Sequence, residues 1–180
     1  MDMRVCLTGA AAGEGVSVDE VEAFNSMPAD ELEKELLACC AAPAWGQRIA
    51  AGRPYPDKAS ILQAADHPLS WPDVRKGLSA HPRIGERAQG DSKEAAWSRQ
   101  EQSASVEDAL EDELIAANRA YEDRFGHVFL IFASGRSRSE ILAAARERLA
   151  NDEETERAIV AEQLRLIARL RLERLLDALG

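Results

Sequence analysis

His81 is the residue in this sequence best suited by position to proton chemistry. It stands directly before Pro82, and a residue before proline is pushed into extended backbone, so His81 ends any helix that precedes it. An imidazole at the end of an element can present its ring to a cleft, and its ordinary pKa suits general acid–base work near neutral pH. The same position also suits a plain capping or surface histidine. His67 precedes Pro68 in the same way, so the dipeptide alone does not decide, and His127 after Gly126 reads as a cap on a helix C-terminus. Glu101, followed by Gln102, falls near the end of a short helical pattern containing Trp97. On an acidic surface such a carboxylate is solvated unless something pairs with it. Val128, Phe129, Leu130, Ile131, Phe132 and Ala133 form an unbroken apolar run, closed by Ser134-Gly135-Arg136-Ser137. The run is too short for a membrane and too uniform for an amphipathic surface element, so it reads as a buried helix or strand. Its end can offer backbone N–H groups and the Arg136 guanidinium to an anionic ligand.

Helices must position these residues. Ser17-Val18-Asp19-Glu20 reads as a cap and acidic first turn of a short helix ending near Asn25. Pro28 opens a second helix through Leu32, Leu36 and Leu37, and Pro43 a third with Trp45 and Ile49 on one face. Gly52 and Pro54-Tyr55-Pro56 stop it. Residues 57–66 read as a fourth helix with Ile61, Leu62 and Ala65 inward, and Ser70-Trp71-Pro72-Asp73 caps a fifth through Val74 and Leu78. His81 to Glu86 breaks the helical period, and Gln89-Gly90-Asp91-Ser92 is a loop. A helix resumes through Trp97 to Gln102. The next, from about residue 106 to 124, carries Leu110, Leu114, Asn118, Tyr121 and Phe125 as one stripe that Gly126 ends. Helices over 139–150 and 153–178 finish the chain. The expected fold is all-α, a single compact multi-helix domain over residues 17–180, preceded by a loose tail of residues 1–16.

Composition narrows the functions available. The 180 residues carry 32 acidic and 22 basic side chains, a net charge of −10, with 46% hydrophobic and 30% charged residues. That is the balance of a soluble globular protein, and one domain of this size needs no staple. An acidic surface excludes general nucleic-acid binding, which needs a basic face. No apolar run reaches the roughly 20 residues of a membrane-spanning helix. Cys6, Cys39 and Cys40 are a poor disulfide framework and suit a reducing, cytoplasmic setting; the adjacent pair reads as small buried thiols. No signal-peptide pattern opens the chain. No phosphate-binding glycine motif, HExxH, GxSxG or acidic metal cluster occurs, so no metal or cofactor is expected.

Read together, several segments resemble the OHCU decarboxylases of uric acid degradation. They are Cys39-Cys40 with Trp45 and Arg53-Pro54-Tyr55; Ala80-His81-Pro82-Arg83-Ile84-Gly85-Glu86; Ser98 with Glu101-Gln102; Asn118, Tyr121 and Arg124-Phe125-Gly126 with Phe129 and Ile131; and Gly135-Arg136-Ser137. Ala41-Ala42 and Ser103-Ala104 depart from the family pattern. The resemblance implies an all-helical, cofactor-free homodimer that converts 2-oxo-4-hydroxy-4-carboxy-5-ureidoimidazoline (OHCU) to (S)-allantoin and carbon dioxide. It also implies His81 as catalytic histidine, Glu101 as its partnering acid, and Pro82, Ser98 and Gln102 lining the substrate pocket. Phe129, Leu130, Ile131, Phe132 and Ala133 match the stretch that holds the ring.

The residue types suit that chemistry. The carbon that loses carboxylate carries a hydroxyl and adjoins a ring C=N, so the released electrons can flow into the imine and no separate electron sink is needed. Two other classes of function remain open at this point. In a helical interaction module His81 and Glu101 would be surface residues. In a hydrolase of a neighbouring ureide His81 would activate water.

Overall fold

The computed structural model describes residues 18–83 and 111–180. Among these it is all-helical, with helices numbered here in chain order as α1 (Val18–Ser26), α2 (Ala29–Cys39), α3 (Pro43–Ala51), α4 (Lys58–Ala64), α5 (Trp71–Leu78), α6 (Glu111–Phe125), α7 (Arg138–Arg148) and α8 (Glu153–Asp177). Starts follow the caps written in the sequence. The Asp57 side chain accepts from the Ser60 N–H at 2.7 Å, and Ser70 caps α5 through the Asp73 N–H. Ser137 and Glu140 form a reciprocal capping box on α7. Gly126, at φ +70°, follows the last residue of α6, where a side chain would be strained. Helix α4 stops at Ala64, two residues before the expected end, because Asp66 turns away to accept from Arg165 and Arg169 of α8. The start of the first helix, the pattern around Trp97 and the early part of the 106–124 helix lie outside the described residues.

Helix α8 is the axis, and α1, α2, α4 and α5 all pack on it. Helix α4 runs antiparallel to it: Lys58 at one end bonds Asp177, and Arg169 donates to the Leu62 carbonyl at 3.0 Å further along. Helix α5 runs parallel. Trp71 lies beneath the Arg157 guanidinium at 5.1 Å, and Gly77 faces Leu164 so closely that a Cβ would come within 2.7 Å of its Cδ2. Glycine at 77 is what lets the two helices approach.

Two apolar cores result. The larger gathers Phe24, Leu32, Leu36, Trp45, Ile49, Ile61, Val74, Leu164 and Leu172 among others. The smaller lies between α6 and α7 around Leu114, Tyr121, Ile141 and Leu142. Residues 128–133 separate them. Val128, Leu130 and Phe132 pack on the larger core, whereas Phe129, Ile131 and Ala133 pack on the smaller. The apolar run is thus neither helix nor ladder strand, which corrects the sequence expectation. It is a bridge whose period-two alternation gives one face to each core, so both faces must be apolar.

Candidate functional site

His81 lies three residues beyond the end of α5, its N–H donating to the Leu78 carbonyl at 3.0 Å, so the last turn of the helix carries it. Pro82 beside it is half-buried. The next residue ties the segment down: Arg83 donates through Nε and Nη2 to the two carboxylate oxygens of Glu122 on α6, at 2.5 and 2.9 Å. A fork of this kind fixes orientation as well as position. The parallel packing of α5 then brings His81 to the level of Arg171 on α8, seven residues beyond Leu164.

Sequence reasoning missed Arg171. It is 1% exposed, among the largest fully buried side chains of the protein. The signal was available: a lone Arg in the apolar row Val160, Leu164, Ile167, Arg171, where spacing alone calls for a hydrophobe. Its charge reaches two titratable groups. Loss of hydration, aided by that charge, pushes the His81 pKa from 6.5 down to about 3, so the ring is neutral at physiological pH. Burial pushes the Cys40 thiol up to about 11 against the opposing effects of a backbone hydrogen bond at Ala42 and of Arg171. Cys39 and Cys40 are buried and unlinked, as expected, and Cys40 remains a protonated thiol.

The 129–133 segment reaches α8 from the other side. Arg148 donates through Nη1 to the Leu130 carbonyl at 2.7 Å, and the Phe132 N–H donates to Gln163 Oε1 at 2.9 Å. Gln163 and Arg171 are eight positions apart on one helix, about 12 Å along its axis. Leu166 and Leu170, in the row of Gln163, are half-buried.

The bridge has a buried polar strut. Glu156, wholly buried, accepts from Tyr121, from Arg148 Nε at 2.8 Å and Nη2 at 2.5 Å, and from Asn151 at 2.8 Å. Burial alone would raise its pKa, but these donors hold it below the ordinary carboxylate value. Burial and the bond to Glu156 push the Tyr121 phenol up. Arg148 also covers the Phe129 ring at 4.6 Å.

Arg136 folds onto its own turn, its N–H donating to the Ala133 carbonyl and its Nε to Phe132 at 3.2 Å, with the side chain exposed. Gly135 makes that turn at φ +77°. His127 caps no helix. Its ring sits edge-on to Trp71 and Tyr121 at 5.3 and 5.5 Å and bonds the Val128 carbonyl. Ser98, Glu101 and Gln102 lie outside the described residues.

A cavity of about 320 Å³ opens elsewhere, against the first half of α8, walled by Trp45, Cys40, Leu164 and several alanines, with His67 at its edge. His67 Nδ1 is engaged with the Ala64 carbonyl at 2.6 Å. Its charged residues serve one another: Arg165 pairs with Asp66 and Glu162, and Asp66 also with Arg169. This cavity presents no uncompensated positive charge to an anionic ligand, and His81 does not line it. Among the described residues no cluster of three or more His, Cys, Asp or Glu could hold a metal ion, and no helix is long and apolar enough to cross a membrane.

Comparison with known proteins agrees with this architecture. The chain is 31% identical over 151 residues to the uric acid degradation bifunctional protein TTL of Arabidopsis thaliana, and 28% identical over 158 residues to the uric acid degradation bifunctional protein of Bacillus sp. (strain TB-90). These alignments cover 79% and 83% of this chain but 47% and 31% of those proteins, so the chain spans about half or less of the curated relatives it matches. A crystal structure of OHCU decarboxylase in the presence of (S)-allantoin superposes with a TM-score of 0.67 at 29% identity, covering 81% of this chain and 99% of that one. A crystal structure of (S)-allantoin synthase, at 20% identity and a TM-score of 0.61, shares the fold over 86% of this chain and 53% of that one. The profile of the OHCU decarboxylase family matches residues 25–173, most of the chain, and this chain belongs to the OHCU decarboxylase family.

Proposed function

We propose that the chain decarboxylates OHCU to (S)-allantoin and carbon dioxide, at a site centred on His81. The observation that carries this reading is the half-buried His81 ring at the end of α5, lying within the field of the buried Arg171 guanidinium. The substrate is a carboxylate, and the positive charge of Arg171 favours an anion near His81. A neutral His81 can accept the hydroxyl proton as the C–C bond breaks. The electron pair of that bond passes into the adjoining C=N. The nitrogen of that C=N takes a proton from solvent, and the imidazole returns the hydroxyl proton to the ring carbon on one face, which completes the product and sets its configuration.

Glu101 is proposed as the partner of His81 or the anchor of the ureido N–H groups. Pro82, Ser98 and Gln102 line the pocket. Phe129, Leu130, Ile131, Phe132 and Ala133 hold the ring, with Arg136 at their end. The reaction calls for no cofactor because the substrate accepts its own electrons. The test is product analysis: fresh OHCU should yield one carbon dioxide per turnover, and ureide hydrolysis without it would contradict the reading.

We further propose a homodimer in the cytoplasm. Leu166 and Leu170 of α8 remain half-buried after the two cores are filled, and the free cysteines suit a reducing compartment. Light scattering should give twice the 19.7 kDa chain mass, and a mass of one chain would contradict the dimer.

A further inference from the structure

We propose that Gln163 is a positioning residue, fixing which edge of residues 129–133 is turned to the substrate; this rests on the reading that those residues hold the substrate ring. An extended segment with no ladder partner among the described residues must satisfy its backbone by other means, and here side chains do so. Arg148 Nη1 holds the Leu130 carbonyl at 2.7 Å, and Gln163 Oε1 holds the Phe132 N–H at 2.9 Å. In extended backbone the polar groups of residues i and i+2 point to one edge and those of i+1 to the other. Both anchors therefore hold one edge against α7 and α8. The backbone groups of Phe129 and Ile131 are turned to the opposite edge, where they make no hydrogen bond among the described residues.

The two anchors are unequal. Arg148 is also held by Glu156 and lies over the Phe129 ring, so its end of the segment is fixed several times over. At the other end the backbone leads straight into the Gly135 turn, and among the described residues Gln163 is the α8 side chain that hydrogen-bonds the Phe132 backbone. Period-two geometry makes that bond matter: a slip of one residue exchanges the two edges and both apolar faces. Gln163 is half-buried and neutral, so replacing it leaves no stranded charge.

Kinetics on fresh OHCU, calorimetric binding of (S)-allantoin and urea midpoints for the full chain test this. Gln163→Leu should raise KM and the allantoin Kd roughly three- to tenfold, the scale of one neutral hydrogen bond. Its kcat should stay within about twofold and its urea midpoint close to the parent, as expected for lost ground-state and transition-state binding together. Gln163→Glu, which keeps an acceptor, should restore both constants to within about twofold of the parent. Parental KM and Kd in Gln163→Leu would overturn the positioning role alone. So would losses in both variants alike, or losses that follow the urea midpoint. A parent chain that neither turns over OHCU nor binds allantoin would overturn the functional reading, and the positioning role with it.

Discussion

Arg171, buried within α8, bears on His81 beyond the end of α5, and together with loss of hydration it keeps that imidazole neutral. The relationship depends on helix register. Gly77 seats α5 against Leu164, and the chain then carries His81 to the level of Arg171, seven residues further along the same row. Among the described residues Arg171 is the charged group whose field acts on the ring. Its charge opposes protonation of the ring and favours an anion nearby.

The His81 ring should therefore resist acid. Followed by NMR, its Cε1–H signal should show no protonation between pH 8 and about 5, because the pKa lies at about 3. A midpoint near 6.5 would contradict the burial and charge argument. The sign for stability follows. The unfolded chain takes up a proton below the ordinary pKa of 6.5 and the folded chain does not, so the His81 contribution is present above pH 6.5 and is lost as pH falls toward 3. His81→Asn should accordingly flatten the acid limb of urea stability.

His81→Asn should keep the helical fold and lose roughly 10²–10⁴-fold in kcat. His67→Asn should be nearly silent in turnover, since His67 bonds the Ala64 carbonyl beside a cavity that His81 does not line. Glu101→Gln should also impair turnover, with a double mutant far from additive if the two residues act as a unit. Circular dichroism and steady-state kinetics on the four variants check this. Equal behaviour of the two histidine variants would refute the assignment.

Most of the fold was legible because its boundaries are chemical. Asp57, Ser70 and Ser137 are good caps and Gly126 a good stop, so those helix ends fall within a residue or two of expectation. The apolar run was legible as buried but not as a bridge. Periodicity cannot say that each face meets a different core, and a double-faced strand reads like a buried helix. His81 was found through its proline. Arg171 was missed because an arginine in a leucine-rich helix reads as a snorkelling surface residue until the packing shows it enclosed.

Breaking the strut behind the bridge should unfold rather than inactivate. Glu156→Ala leaves the buried Arg148 without its carboxylate and should cost about 3–5 kcal/mol in urea denaturation. Tyr121→Phe removes one donor and should cost about 1 kcal/mol. Because its donors hold Glu156 below the ordinary carboxylate pKa, its stabilisation is present above that value and lost as pH falls through the folded pKa. A near-neutral Glu156→Ala would show that the strut carries no net stability.

Chelation should leave turnover unchanged. The expectation rests on the substrate's own imine as electron sink and on the missing donor cluster among the described residues. Dialysis against EDTA followed by assay is sufficient. Loss of activity restored by a divalent ion would overturn the mechanism.

The most direct test is the optical activity of allantoin formed from freshly generated OHCU. With this protein present, decay should accelerate and the product should be the (S) enantiomer, since proton return occurs on one face of a bound intermediate. Racemic allantoin formed at the uncatalysed rate would contradict the account.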